Sequence, residues 1–375
     1  MIQPMHSKLS VFILQILGSA LVLNVAFNVN AASLSTENVF LITTDGLRWQ
    51  EVFSGAEAGL MTKEEGGVKD TNALRKDFWR ATPEDRRGAL MPFLWSQVAK
   101  EGQLWGNHAK SSIVQVTNGR NFSYPGYSEF LTGIVDPRID SNDRKPNPNK
   151  NVFQWLHAQE RFQGRIGASV SWGVIPWILN SDVARFPVWS AFDVPEGTRK
   201  FNLSPTVQGL LDRATPIWSD VSLDTFAGLA AKEMVLQLHP RAFYIAFGET
   251  DDWAHDSRYD LYLRSARNFD RFVRELWELV QSIPQYHNKT TFILTTDHGR
   301  GPAPIAWKSH GQAIPESSFI WVALLGPDTA PLGERQNTPK ITQGQIAATV
   351  ASFLGEDFVA ASPKSAKPIP GVVGK

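Results

Sequence analysis

The sequence predicts an α/β fold: a mostly parallel central sheet, helices on both of its faces, and an aromatic-rich insertion. Three observations carry that reading. Apolar runs of strand length recur along the chain without polar alternation, as in strands buried on both faces. Stretches with apolar residues spaced by three and four lie between them, so strands alternate with helices. Several apolar runs end in a polar turn that carries aspartate, T-T-D-G, G-E-T-D-D or T-T-D-H-G. Sheets of this kind bind ligands at the carboxyl ends of their strands.

Taken in order, the chain opens on an apolar stretch. Lys8 is followed by L-S-V-F-I-L-Q-I-L-G-S-A-L-V-L-N-V-A-F, with no further charge until Glu37. Val29 and Ala31 place small residues where a signal peptidase reads them. Residues 1–31 therefore read as a secretory signal peptide cut after Ala31, and 32–375 as the catalytic domain. About 20 apolar residues suffice to span a bilayer, but Gln15, Gly18, Ser19 and Asn24 dilute this run. The expectation is a periplasmic or secreted protein with no stable membrane association once the segment is removed.

The first strand is 39–42, ending at Asp45. A helix is expected over 90–101 and a weaker strand over 165–170. Between 171 and 222, Trp and Pro crowd into W-G-V-I-P-W, R-F-P-V-W and T-P-I-W with little periodicity, which reads as a lid or insertion. A helix over 223–238 precedes the strand 242–247. A long amphipathic helix covers 259–283, strands follow at 291–294 and 319–325, and 343–354 is the last helix.

Composition narrows the chemistry. The 37 basic and 37 acidic residues balance and form no basic run, so no nucleic-acid partner is indicated. There is no cysteine. An exported chain of this kind has no disulfides, no thiolate metal ligands and no cysteine nucleophile, so any metal must be held by His, Asp, Glu, Ser or Thr. In E-T-D-D-W-A-H, Asp251 and His255 are four apart, which puts both on one helix face. Asp252 is expected to point elsewhere and cap the turn. T-T-D-H-G brings Asp297 and His298 off a buried strand, and K-S-H-G offers His310 in a loop. With Asp45, three aspartates and three histidines stand at or near strand ends, a donor set suited to two divalent ions of the zinc type. Two serines, Ser123 and Ser128, lie in N-F-S-Y-P-G-Y-S-E-F-L-T-G without a visible base, and metal coordination can activate such a hydroxyl.

These motifs resemble the alkaline phosphatase superfamily of metalloenzymes, most of all its type I phosphodiesterase/nucleotide pyrophosphatase branch. Five separated motifs follow that family's order between about residues 38 and 326. The resemblance implies that Asp45, Asp297 and His298 hold one zinc, that Asp251, His255 and His310 hold the other, and that Ser123, before Tyr124-Pro125 and ten residues before Gly133, is the nucleophile and a metal ligand. Ser128 falls inside the following helix. The branch usually has asparagine directly after that proline, where this chain has Gly126; Asn121 or Asn118 could replace it. Arg300, with Arg120 and Lys308, is a candidate clamp for substrate charge. Asn121-Phe122-Ser123 matches a glycosylation sequon, but a glycan there would block the nucleophile. The implied activity is that of an exported two-zinc hydrolase of small-molecule phosphate esters, acting through a phosphoseryl intermediate. Its rivals are a sulfate- or phosphonate-ester hydrolase or phosphoryl transferase on the same metals, and an inactive secreted metal-binding protein.

Overall fold

Apolar β-branched and aromatic runs form the sheet because only a strand buried on both faces accommodates them. The computed structural model describes Met1 and residues 34–374; the signal-peptide reading falls outside the described residues. Eight strands make the main sheet: β1 (Asn38–Thr44), β2 (Gln103–Trp105), β3 (Ile166–Val170), β4 (Val188–Ser190), β5 (Ala242–Phe247), β6 (Thr290–Thr295), β7 (Val322–Leu325) and β8 (Gly333–Glu334). Their order is β8-β2-β7-β6-β1-β5-β3-β4. All run parallel except β7, which is antiparallel to both β6 and β2. β1 sits in the middle, with Ile42 opposite Ile245 on one side and Leu294 on the other.

Side chains alternate between two cores. Phe40, Ile42, Phe243, Ile245, Phe292 and Leu294 point into one. Val39, Leu41, Tyr244, Ala246 and Ile293 point into the other. The first core is closed by helices α2 (Asp224–Leu238) and α4 (Tyr259–Ser282), the second by α1 (Ser123–Thr132) and α5 (Gln345–Phe353). α3 (Glu249–His255) follows β5 directly. α2, α4 and α5 each lie within a few residues of the span their apolar spacing predicts.

Three elements differ from expectation, each for a local reason. Pro92 has no N–H to continue the helix that ends at Leu90, so a new helical run starts there, with a π turn at Leu94–Val98. The expected strand 319–325 is broken at Trp321, whose indole turns inward to donate to the Leu47 carbonyl at 3.0 Å. Phe319–Ile320 then joins a small separate sheet with Val114–Gln115 and Ile341–Thr342. The Trp/Pro-rich segment 171–222 is not set apart from the sheet along its whole length. Trp172, Val174, Ile175, Ile178 and Phe186 are core residues, and β4 is the sheet's edge strand. Only beyond Ser190 does it loosen: the helix Pro205–Leu211 has no buried residue.

Candidate active site

The carboxyl ends of β1, β5 and β6 lie side by side in register, so whatever follows them in sequence converges. Asp45 follows β1, α3 carries Asp251 and His255 beyond β5, and Asp297-His298 follow β6. His310 arrives on the loop beyond. The six residues fall into two groups whose ligand atoms lie within 4.8 Å of one another: Asp45, Asp297 and His298, and Asp251, His255 and His310. These are the two triads the motifs imply.

The groups touch. His298 Nε2 is 3.3 Å from Asp45 Oδ1, 3.4 Å from Asp297 Oδ2 and 3.8 Å from Asp251 Oδ1. His255 Nε2 is 3.0 Å from Asp251 Oδ2 and 3.0 Å from His310 Nε2, and the His298 and His310 rings stack at 3.9 Å. Ser123 Oγ is 3.5 Å from His298 Nε2. Ser123 is the first residue of α1, and Phe122 before it is extended, so the free N–H groups of the first turn open beside it. Ser128 points away and accepts from Asn147 Nδ2 at 2.9 Å.

The chemistry of the donors fits divalent cations. Asp45 Oδ1 and Asp297 Oδ2 are buried without any hydrogen-bond partner, the two atoms that face His298. The backbone sets both tautomers. His298 Nδ1 lies 2.9 Å from the Gly299 carbonyl and His310 Nδ1 3.1 Å from the Asn121 carbonyl, so each Nδ1–H donates and Nε2 keeps its lone pair for a metal. Among protein groups alone, burial and then Asp251 push the Asp45 carboxyl well above the usual range, and burial and then Asp45 do the same to Asp297. Burial, followed by His298, pushes His310 down to about 2, so its imidazole is neutral, the state that binds metal. Burial opposes ionisation of Asp251, but the Arg300 guanidinium beside it holds that carboxyl well below its usual range.

Two glycines let these elements close up. Gly46 has φ +61°, and a Cβ there would stand 2.6 Å from Asp251 Oδ1. Gly126, on the inward face of α1, would place a Cβ 2.4 Å from the Asp297 carbonyl oxygen. Helix and ligand loop pack backbone to backbone, so the asparagine of the resembling branch has no room here.

Other expectations move. Arg300 is not a clamp open to substrate: its side chain is wholly buried, its Nη1 donates to Asp251 Oδ1 at 2.7 Å, and its Nε and Nη2 hold the carbonyls of Trp307, Asp251 and Lys308. It fixes Asp251 and the turn leading to His310. Both ends of the Asn118 amide are committed: its Oδ1 accepts from its own loop and its Nδ2 donates to Glu129 on α1. Asn121, buried at φ +53°, reaches the site through its carbonyl, while its Oδ1 has no partner. Arg120 and Lys308 enter no ion pair among the described residues. Asp252 does not simply cap a turn; burial, then Asp251 and Asp45, push its carboxyl up to about 9 beside the triads.

Sequence reading missed Tyr127, whose hydroxyl donates to Asp45 Oδ2 at 3.0 Å. It lies four residues after Ser123 on the same helix face, a spacing that could have exposed it. Thr250, which donates to the Asp45 carbonyl and pairs with Thr44 Oγ1 at 2.7 Å, carries no comparable signal.

No family model matches this sequence, and no curated protein does either. Solved structures do. A phosphonate monoester hydrolase of Silicibacter pomeroyi superposes with TM-score 0.52 at 11% identity, covering 89% of this chain and 76% of that one. The phosphonate monoester hydrolase of Agrobacterium radiobacter gives TM-score 0.50 at 13% identity over 85% of this chain and 74% of that one. The fold is the one these two hydrolases share. A Vibrio parahaemolyticus structure described as a protein in the alkaline phosphatase superfamily aligns at TM-score 0.48 and 13% identity, covering 88% of this chain and 69% of that one. At these identities the likeness concerns architecture, and the chemistry rests on the chain's own residues.

Proposed function

We propose that this chain is an exported metal-dependent hydrolase of phosphoric esters, with Ser123 as its nucleophile and two divalent ions, zinc by donor type, held by the two triads. The observation that carries the reading is the position of Ser123: a buried hydroxyl at a helix start, 3.5 Å from a ligand of one triad and beside the other. When bound, such ions supply positive charge that lowers a hydroxyl's pKa and offsets charge on the transferred group.

The protein's own groups do the rest. The first turn of α1 presents backbone N–H groups to an anionic phosphoryl oxygen. Ser123 Oγ forms the bond to phosphorus as the bond to the ester oxygen breaks, the serine proton passing to solvent and the leaving alcohol taking one up. Water then attacks the phosphoseryl group, releasing phosphate or the remaining monoester and restoring the hydroxyl. Tyr127 and Arg300 hold Asp45 and Asp251 in place throughout.

Charge selects the ester. Two divalent ions, three aspartates and an ionised Ser123 sum to zero, and Arg300 is committed to Asp251. A monoanionic substrate, a phosphodiester or a phosphonate monoester, needs the least further compensation. Structural neighbours named as phosphonate monoester hydrolases agree with that preference. Export rests on the 1–31 sequence pattern, and no helix among the described residues is long and apolar enough to cross a membrane.

The test is a panel of p-nitrophenyl esters with zinc-reconstituted protein: phosphodiester, phenylphosphonate, phosphate monoester and sulfate. The diester and phosphonate should turn over about tenfold or more faster than the monoester, and Ser123→Ala should abolish both while still binding zinc. Undiminished turnover by Ser123→Ala would remove the nucleophile assignment.

A further inference from the structure

Glu129 is an ionisable side chain that the reaction does not use, and it is almost wholly buried, at 1% exposure. It sits on α1 six residues beyond Ser123, and everything around it donates. Thr117 N is 3.1 Å from each carboxylate oxygen and Thr117 Oγ1 is 2.5 Å from Oε1. Asn118 N and Nδ2 reach Oε2 at 3.0 and 2.9 Å. A buried carboxylate is tolerated only when so many donors face it.

The bonds continue. Asn118 Oδ1 accepts from the backbone N–H groups of Arg120 and Asn121, at 2.8 and 3.1 Å. Those bonds hold Asn121 at φ +53°, a conformation few side-chain-bearing residues adopt. In that conformation the Asn121 carbonyl lies 3.1 Å from His310 Nδ1. His310 is thereby fixed with Nε2 toward Asp251 and His255. Two residues after Asn121 comes Ser123.

We propose that Glu129 is a positioning residue of the metal centre: through Asn118 it clamps the 117–121 loop, and through the Asn121 carbonyl that loop sets the tautomer and direction of His310. The same helix supplies Ser123, packs Gly126 on the Asp297 backbone and holds Asp45 through Tyr127. Glu129 extends its reach to His310 of the second triad, so one helix registers the nucleophile against residues of both triads. The glutamate acts only through the loop; it touches no ligand.

The proposal rests on the two-metal reading, and the experiment separates the two. Zinc alone is titrated into the purified protein against a competing chelator, for wild type, Glu129→Gln and Asn118→Ala. Wild type should take up two ions. Both variants should bind one ion within about threefold of wild type and the other at least tenfold more weakly, the range for loss of a group that orients a ligand. Excess zinc should restore kcat to within about threefold, and nitrogen-15 spectra should show His310 losing its single Nδ1–H tautomer. In a His310→Ala background Glu129→Gln should add nothing further. A role confined to packing would lower thermal stability without this selective loss. Should Glu129→Gln fail to fold, Asn118→Ala, on the loop and outside the core, gives the answer. Wild-type affinity for both ions in the folded variants overturns the clamp. Uptake of only one ion by wild type overturns the two-metal reading, and the clamp with it.

Discussion

Gly126 packs against the Asp297 backbone, and that contact makes a quantitative prediction. In Gly126→Ala the new methyl would lie 2.4 Å from the Asp297 carbonyl oxygen and 3.0 Å from its carbon, where ordinary contact begins at 3.4 Å. Neither neighbour is a flexible side-chain end; both belong to backbone. The helix start or the ligand loop must therefore move by roughly 1 Å. Overpacking of this kind costs about 2–3 kcal/mol. For a chain of this length the unfolding entropy is about 0.7 kcal/mol per degree, so the melting temperature should fall by ~3–4 °C. Activity should suffer more, because a shift of about 1 Å between nucleophile and ligand is worth ~10²-fold in rate. The assay is kcat on a phosphodiester at saturating zinc, with thermal melts in parallel. Gly88→Ala is the control: its Cβ meets nothing within 4 Å, and it should raise stability by about 0.5–1 kcal/mol without touching kcat. A Gly126→Ala protein with wild-type kcat and melting temperature would refute the close packing of α1 on the Asp297 backbone.

Three further outcomes follow from individual contacts. Tyr127→Phe removes the 3.0 Å bond to Asp45 and should weaken one zinc ion about tenfold in a chelator competition, leaving the other unchanged. Arg300→Gln breaks a buried pair with Asp251 and should lower stability by about 3 kcal/mol in urea melts, with substrate KM changing less than kcat. Asp270, pushed up to about 6 by burial against the bonds it accepts from Phe93 and Leu94, keeps its proton longer in the folded state than the unfolded one. Its contribution is therefore greatest in acid and declines as pH rises from about 4 to about 6, by roughly 3 kcal/mol. The stability difference between wild type and Asp270→Asn should narrow over that interval in wild type's disfavour and stay flat above it.

The parts of this protein that could be read from its sequence are those where one local pattern decides the outcome. Apolar runs such as Val39–Ile42 announce buried strands, and polar turns at their ends announce Asp45, Asp251 and Asp297 at one edge. The α3 spacing of Asp251 and His255 is equally local. What escaped depends on partners far away in sequence. Gly126 looks like a missing phosphate contact until Asp297 is seen against it. Arg300, beside D-H-G, looks available until Asp251 and two carbonyls surround it. Glu129 looks like a helix-surface acid, but α1 is buried along its whole length, so the residue must serve the loop beneath it. The Trp/Pro-rich stretch hid β4 because three residues pairing with β3 leave no periodicity to detect.

The central claim is that two divalent ions occupy the two triads, and metal analysis of the purified protein tests it most directly. The account predicts two equivalents of divalent metal, zinc on reconstitution, for wild type, and one for His310→Ala or for Asp297→Asn. A folded wild-type protein that takes up no divalent metal under those conditions would contradict it.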